Sequence, residues 1–117
     1  YYFRHIGTNS DVYVFEAPID MLSYITMNKE NWQESSYVCL GGVAIDALKN
    51  ILSTNEQISK VYMCVDRDDA GDKTVKRIGD ELNEMGYEWE RVFPENKDWN
   101  EDLTAGSDQT ENFELTM

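Results

Sequence analysis

The chain is poor in soft metal ligands and in positive charge. Its 117 residues contain one histidine, His5, and two cysteines, Cys39 and Cys64. The cysteines are too few to build a zinc site, which takes four ligands, and His5 does not make up the set. Each cysteine sits inside an apolar run and reads as a buried, reduced thiol. Ten Lys and Arg stand against 23 Asp and Glu, a net charge of -13. Nucleic-acid affinity rests on basic side chains that neutralise phosphates, so this domain alone is expected to bind DNA or RNA weakly. Part of the negative charge lies late in the chain, where Glu95, Asp98, Glu101, Asp102, Asp108, Glu111 and Glu114 face only Lys97. A bound metal ion would offset another part. No run of about 18 apolar residues is present, so no membrane-spanning helix is expected. No signal-peptide pattern is visible.

What remains supports one domain with one core, at 41% hydrophobic residues. The opening Tyr1-Tyr2-Phe3-Arg4-His5-Ile6 resembles the interior of a longer protein. Residues 1–10 are therefore expected to be the remnant of a preceding region. Residues 11–103 form the domain. Residues 104–117 are polar and without periodicity, and read as a flexible acidic tail or linker.

Strand and helix patterns alternate. Val12 to Phe15 is a short run of β-branched and aromatic residues, the first expected strand. Pro18 opens a helix, where its missing N–H costs nothing. Met21, Leu22 and Ile25 follow at helical spacing. Tyr37 to Leu40 is the second strand, closed by Gly41-Gly42. Val43, Ala44, Ala47, Leu48, Ile51 and Leu52 mark an amphipathic helix. Val61 to Val65 is the third strand. Asp69 is a candidate cap for a third helix with Val75, Ile78, Leu82 and Met85 on its buried face and Gly86 as its stop. Tyr87 to Phe93 is the fourth strand, ended by Pro94. Such an alternation implies a parallel sheet with right-handed crossovers. The expected architecture is a Rossmann-like α/β fold, with a four-stranded parallel sheet in the order 2-1-3-4 flanked by helices.

In that order the first and third strands are neighbours, about 5 Å apart. The first runs into Glu16 and the third into Asp66-Arg67-Asp68-Asp69. Carboxylates at adjacent strand ends suit a hard divalent cation such as Mg2+, which takes oxygen ligands and keeps open positions for substrate phosphate. Asp98, in Lys97-Asp98-Trp99-Asn100 after the fourth strand, can approach the same point. Trp99 can equally fold back as a hydrophobic lid over an acidic loop. Lys73, in the first turn of the third helix, is placed to reach a phosphate. Gly71 allows close packing at that helix start.

The motifs together resemble the TOPRIM domain of bacterial primases, type IA and type II topoisomerases, overcoming-lysogenisation-type nucleases and recombination-repair proteins. Glu16-Ala17-Pro18-Ile19-Asp20 looks like the primase glutamate motif. Leu40-Gly41-Gly42 looks like the glycine turn after the second strand. Asp66-Arg67-Asp68-Asp69-Ala70-Gly71 looks like the primase Asp-Gly-Asp-x-Ala-Gly. Pro94 to Asn100 is similar to the late primase segment ending in an acid pair, and its Lys-Asp-Trp-Asn form also resembles TOPRIM proteins of conjugative and other mobile elements. Four motifs in order are far more specific than any one. Asn100 departs from the second aspartate of that pattern, and Arg67 replaces a glycine.

The resemblance implies a Mg2+- or Mn2+-dependent catalytic domain of the cytoplasm acting on nucleic-acid phosphates. Primase-type nucleotidyl transfer in replication or mobile-element transfer is the first expectation. Glu16, Asp66 and Asp68 would be catalytic, and Glu16, Asp66, Asp68 and Asp98 metal ligands. Asp20 and Asn100 would serve an outer position or a second metal, and Lys73 and Lys97 would bind phosphate. DNA, nucleoside triphosphates and other replication or mobilisation proteins would be partners of the full-length protein. Strand cleavage of nuclease or topoisomerase type is an alternative reaction, and a non-catalytic recruiting module is an alternative class. A phosphoacceptor receiver domain fits less well, because it needs a lone aspartate where this chain has a pair.

Overall fold

The computed structural model describes residues 4–40 and 45–105. In order, these form β1 (Arg4–His5), β2 (Asp11–Phe15), α1 (Pro18–Met27), a 3-10 turn (Trp32–Glu34), β3 (Ser36–Cys39), α2 (Asp46–Thr54), β4 (Lys60–Met63), α3 (Asp69–Met85) and β5 (Glu88–Arg91). Residues 99–105 are helical as well, so 104 and 105 continue a helix rather than beginning a tail. The Gly41-Gly42 turn, Val43, Ala44 and residues 106–117 of the expected tail lie outside the described residues, as do Tyr1 and Tyr2.

The expected four-stranded parallel sheet in order 2-1-3-4 is corrected. The sheet has five strands and is mixed, in the order β1-β3-β2-β4-β5. Arg4 and His5 pair antiparallel with Val38 and Tyr37. The other pairings, β2 with β3, β2 with β4 and β4 with β5, are parallel. A two-residue strand shows no period of two, so pattern reading passes over it. The pairing is made by the tertiary environment. The chain after β1 is tied to the start of β3 by Gly7 N–H donating to Ser36 Oγ at 3.0 Å. Thr8 and Asn9 N–H both donate to the Glu34 carbonyl, at 2.8 and 2.9 Å. The added strand covers an edge of β3 that would otherwise expose unpaired backbone.

Strand alternation divides the core into two layers. Val12 and Val14, Val38 and Leu40, and Val61 and Met63 turn to the side of α2 and α3, where they meet Leu48, Ile51, Leu52, Ile78 and Leu82. Phe15, Tyr37, Cys39 and Cys64 turn to the other side, with Met21 of α1 and Trp99. Cys39 and Cys64 are buried thiols, and burial pushes the Cys64 thiol well up. On this second side Tyr37, Tyr13 and Tyr62 occupy paired register positions on β3, β2 and β4. Their rings stack at 5.4 and 4.8 Å.

Local signals set the helix ends. Pro18 opens α1, and Gly86 closes α3 with φ of 82°, a conformation glycine adopts without steric cost. The α3 cap is Asp68 rather than Asp69: its Oδ1 accepts the Gly71 N–H at 2.7 Å. Gly71 is required by contact, since a Cβ there would lie 2.1 Å from the Asp66 carbonyl oxygen. The start of α3 is thereby drawn against the end of β4.

Candidate functional site

The carboxylates gather beyond the C-terminal ends of β2 and β4, the position at which open α/β sheets bind ligands. Glu16 directly follows β2, and its Oε1 accepts the Asp66 N–H at 3.4 Å. This bond joins the two strand ends. Asp20 lies in the first turn of α1 and is buried, with 5% of its surface exposed. One of its oxygens accepts the Asn100 N–H at 3.2 Å. Asp98 precedes the helical segment 99–105, and its Oδ1 accepts the Glu101 N–H at 2.9 Å. Trp99 is buried and donates from its indole N–H to the Cys64 carbonyl at 3.1 Å, while its ring meets Tyr24 edge-on at 4.9 Å. That anchor fixes the neighbouring Asp98 relative to β4. Trp99 thus folds inward, and Asp98 still reaches the carboxylates.

Asp20, Asp66 and Asp98 each bring an oxygen within 4.8 Å of the others. Asp20 and Asp98 each spend one oxygen on a backbone N–H, and a carboxylate has a second to offer. Three carboxylates at this separation form a group able to coordinate a divalent cation. Glu16 and Asp68 stand beside this trio rather than in it, and Asp68 commits one oxygen to the α3 cap. Asn100 enters mainly through its backbone, which seats Asp20, while its Oδ1 lies 3.5 Å from Ser23 Oγ. Lys73 and Lys97 are exposed. The Lys97 carbonyl accepts the Arg67 N–H at 2.7 Å, tying the Asp98 loop to the turn after β4. Arg67 turns outward: its Nε donates to the Pro94 carbonyl at 3.0 Å and its guanidinium lies 4.8 Å from the Phe93 ring centre.

The electrostatics are those of negative charge held together without enough compensation. Burial, then the carboxylates of Asp20, Glu16, Asp68 and Asp98, pushes the Asp66 carboxyl from 3.8 up to about 6. Burial also raises Glu16, with the Asp68 and Asp20 charges adding to it; the Asp66 N–H and Arg91 pull the other way. Burial raises Asp20 too, with Asp98 adding and the Asn100 N–H opposing. A divalent cation among these oxygens would reverse the penalty, so the donor set suits a hard cation.

Two contributors have weak signals in the sequence. Asp20 is read there only as a second acid four residues after Glu16, yet the first turn of α1 carries it into the trio. Arg91 ends β5 as an ordinary strand residue in an alternating pattern. Its guanidinium donates to the Asp66 carbonyl at 3.0 Å and to Asp72 Oδ1 at 2.5 Å.

Comparison with known proteins agrees with the geometry. No curated protein matches the chain. Among solved structures, the primase fragment of the bacteriophage T7 primase-helicase superimposes with a TM-score of 0.67 at 24% identity, covering 95% of this chain and 45% of that one. A chain of the T7 complex between the lagging-strand DNA polymerase and the primase domains of two gp4 subunits gives 0.62 at 24% identity, covering 88% and 52%. A protein from Aquifex aeolicus gives 0.56 at 17% identity, covering 69% and 68%. This chain thus spans about half the length of the T7 chains, and at these identities the likeness is one of fold. The Toprim-like family model matches residues 13–103 and takes in Glu16, Asp20, Asp66, Asp68 and Asp98. On that match, over most of its length, the chain belongs to the Toprim-like family.

Proposed function

We propose that this domain binds Mg2+ or Mn2+ through Asp20, Asp66 and Asp98 and acts on nucleic-acid phosphates, with primase-type nucleotidyl transfer as its reaction. The observation that carries the reading is the approach of three carboxylate oxygens to within 4.8 Å at the end of the sheet. The fold likeness to T7 primase chains supports the choice of reaction. When bound, the cation supplies charge neutralisation and Lewis acidity at phosphoryl oxygens.

The chain's own residues do the rest. Asp66 and Asp98 would hold the cation from the turn after β4 and from the late loop, and Asp20 would hold it from α1. Asp68 stays beside them as the cap of α3, with an oxygen left for the site. Glu16, pushed upward by burial, exchanges a proton with a substrate hydroxyl. Lys73 and Lys97, exposed at the rim, bind substrate phosphates. DNA and nucleoside triphosphates are the partners in the full-length protein. With a net charge of -13, the domain needs the cation or a neighbouring basic region to approach them.

Calorimetric titration of wild-type and Asp66→Ala protein with Mn2+ and Mg2+, with and without a nucleoside triphosphate, tests the reading. Binding in wild type that disappears in the variant is the expected result. Equal binding by both would remove the site. Template-directed primer synthesis measured beside plasmid nicking then separates nucleotidyl transfer from strand cleavage. The same charge favours a second reading, a non-catalytic module that docks protein partners, which a wild-type chain without cation binding under any of these conditions would support.

A further inference from the structure

The turn from Asp66 to Asp72 carries two carboxylates of the site, Asp66 and Asp68, and one side chain from another element grips it. Arg91 reaches in from the end of β5 with 14% of its side chain exposed. Nη2 donates to the Asp66 carbonyl at 3.0 Å, and Nη1 donates to Asp72 Oδ1 at 2.5 Å. The guanidinium carbon lies 4.3 Å from the centre of the Phe93 ring. The Asp66 carbonyl is therefore held on two sides. The Gly71 backbone approaches so closely that a Cβ would sit 2.1 Å away, and that Cβ would lie 3.2 Å from Arg91 Nη2. A planar fork of donors can bond a strand-end carbonyl and a first-turn carboxylate together; an ammonium is a point donor.

We infer that Arg91 is a positioning residue for the carboxylate site: by bridging the Asp66 carbonyl and Asp72 it fixes the β4–α3 turn, and so sets where the Asp66 carboxylate stands. The inference rests on the proposed cation site for its consequence in binding, but the positioning itself is readable without metal. Charge and geometry predict opposite signs. A positive charge near a cation site weakens cation binding, so Arg91 acting through charge alone would make Arg91→Met tighten binding. Arg91 acting through geometry makes its loss weaken binding, by about 10–100-fold as is typical for groups that orient ligands.

The test uses wild type, Arg91→Lys and Arg91→Met, with Mn2+ alone as the probe. Arg91→Lys keeps the charge and loses the fork, so it isolates geometry. Both variants are expected to bind Mn2+ at least about tenfold more weakly than wild type. Amide exchange of metal-free protein is read in parallel. Losing a charge-assisted hydrogen bond should raise exchange at Arg67, Gly71 and Asp72 by roughly tenfold or more, with the middle of α3 still protected. Wild-type Mn2+ affinity in Arg91→Lys, or tightened affinity in Arg91→Met, overturns the inference. So does unchanged exchange in the turn. If wild type binds no Mn2+ but the turn loosens in both variants, the cation site fails while the positioning role stands. If exchange rises throughout the molecule, Arg91 is a general stabiliser and the inference fails.

Discussion

Replacing Asp66 by asparagine should stabilise the metal-free protein at neutral pH and abolish its response to divalent cations. Burial and four neighbouring carboxylates push the Asp66 carboxyl from 3.8 up to about 6. A carboxyl raised on folding binds more protons in the folded state than in the unfolded one between those two values. Stability is then greatest at low pH and falls as pH rises through the window, leaving the full penalty above it. The rise corresponds to roughly 3 kcal/mol. Asp66 is only partly buried, and solvent screens its neighbours, so about 1 kcal/mol is the expected net penalty. Asparagine has nearly the same shape and carries no charge. In EDTA at about pH 7.5 the variant should therefore melt roughly 4–8 °C above wild type, and the gap should close as the pH is lowered to about 4. Saturating Mn2+ should reverse the order, since only wild type gains binding energy: about 2.7 kcal/mol when the ion stands at a hundred times its dissociation constant. Circular-dichroism melts at both pH values, in EDTA and in Mn2+, measure all of this. A variant less stable than wild type at neutral pH in EDTA, or a gap that ignores pH, would refute the reasoning.

Other substitutions probe the supports of the site. Gly71→Ala forces a Cβ to within 2.1 Å of the Asp66 carbonyl; it should cost about 1–3 kcal/mol in urea unfolding, because backbone on both sides resists the shift. Trp99→Ala empties a buried site and deletes the bond to the Cys64 carbonyl. It should cost about 3–5 kcal/mol, and Mn2+ affinity should fall with it because Asp98 loses its anchor. Asp68→Ala removes the α3 cap; about 1 kcal/mol of stability should be lost, and calorimetry should show Mn2+ binding weakened less than in Asp20→Asn or Asp98→Asn.

Much of the framework was legible because it follows from local patterns. The apolar runs at Val12 to Phe15, Tyr37 to Leu40 and Val61 to Val65 overlap β2, β3 and β4, each of which begins one residue before its run. The helical face of Val75, Ile78 and Leu82 and the stop at Gly86 describe α3. The edge strand was not legible: Arg4 and His5 have no pattern of their own and are strands only because β3 offers an open edge. The cap of α3 was misplaced by one residue, since Asp68 and Asp69 are chemically equal and only the backbone path chooses between them. Asp20 illustrates the same limit at the site, because its place in the trio depends on a backbone N–H 80 residues away.

Periodicity, capping and glycine act within a few residues, and from them follow which segments alternate, where α1 opens and α3 stops, and that acids cluster after two strands. Tertiary structure alone decided which three acids converge and what holds them there. Asp20, Asp66 and Asp98 come from a helix start, a strand end and a late loop, and the late loop is seated by the buried Trp99. Arg91 reaches the turn from a strand 25 residues beyond Asp66. Distances of a few ångströms between such elements depend on sheet order and packing, which no local window of residues encodes.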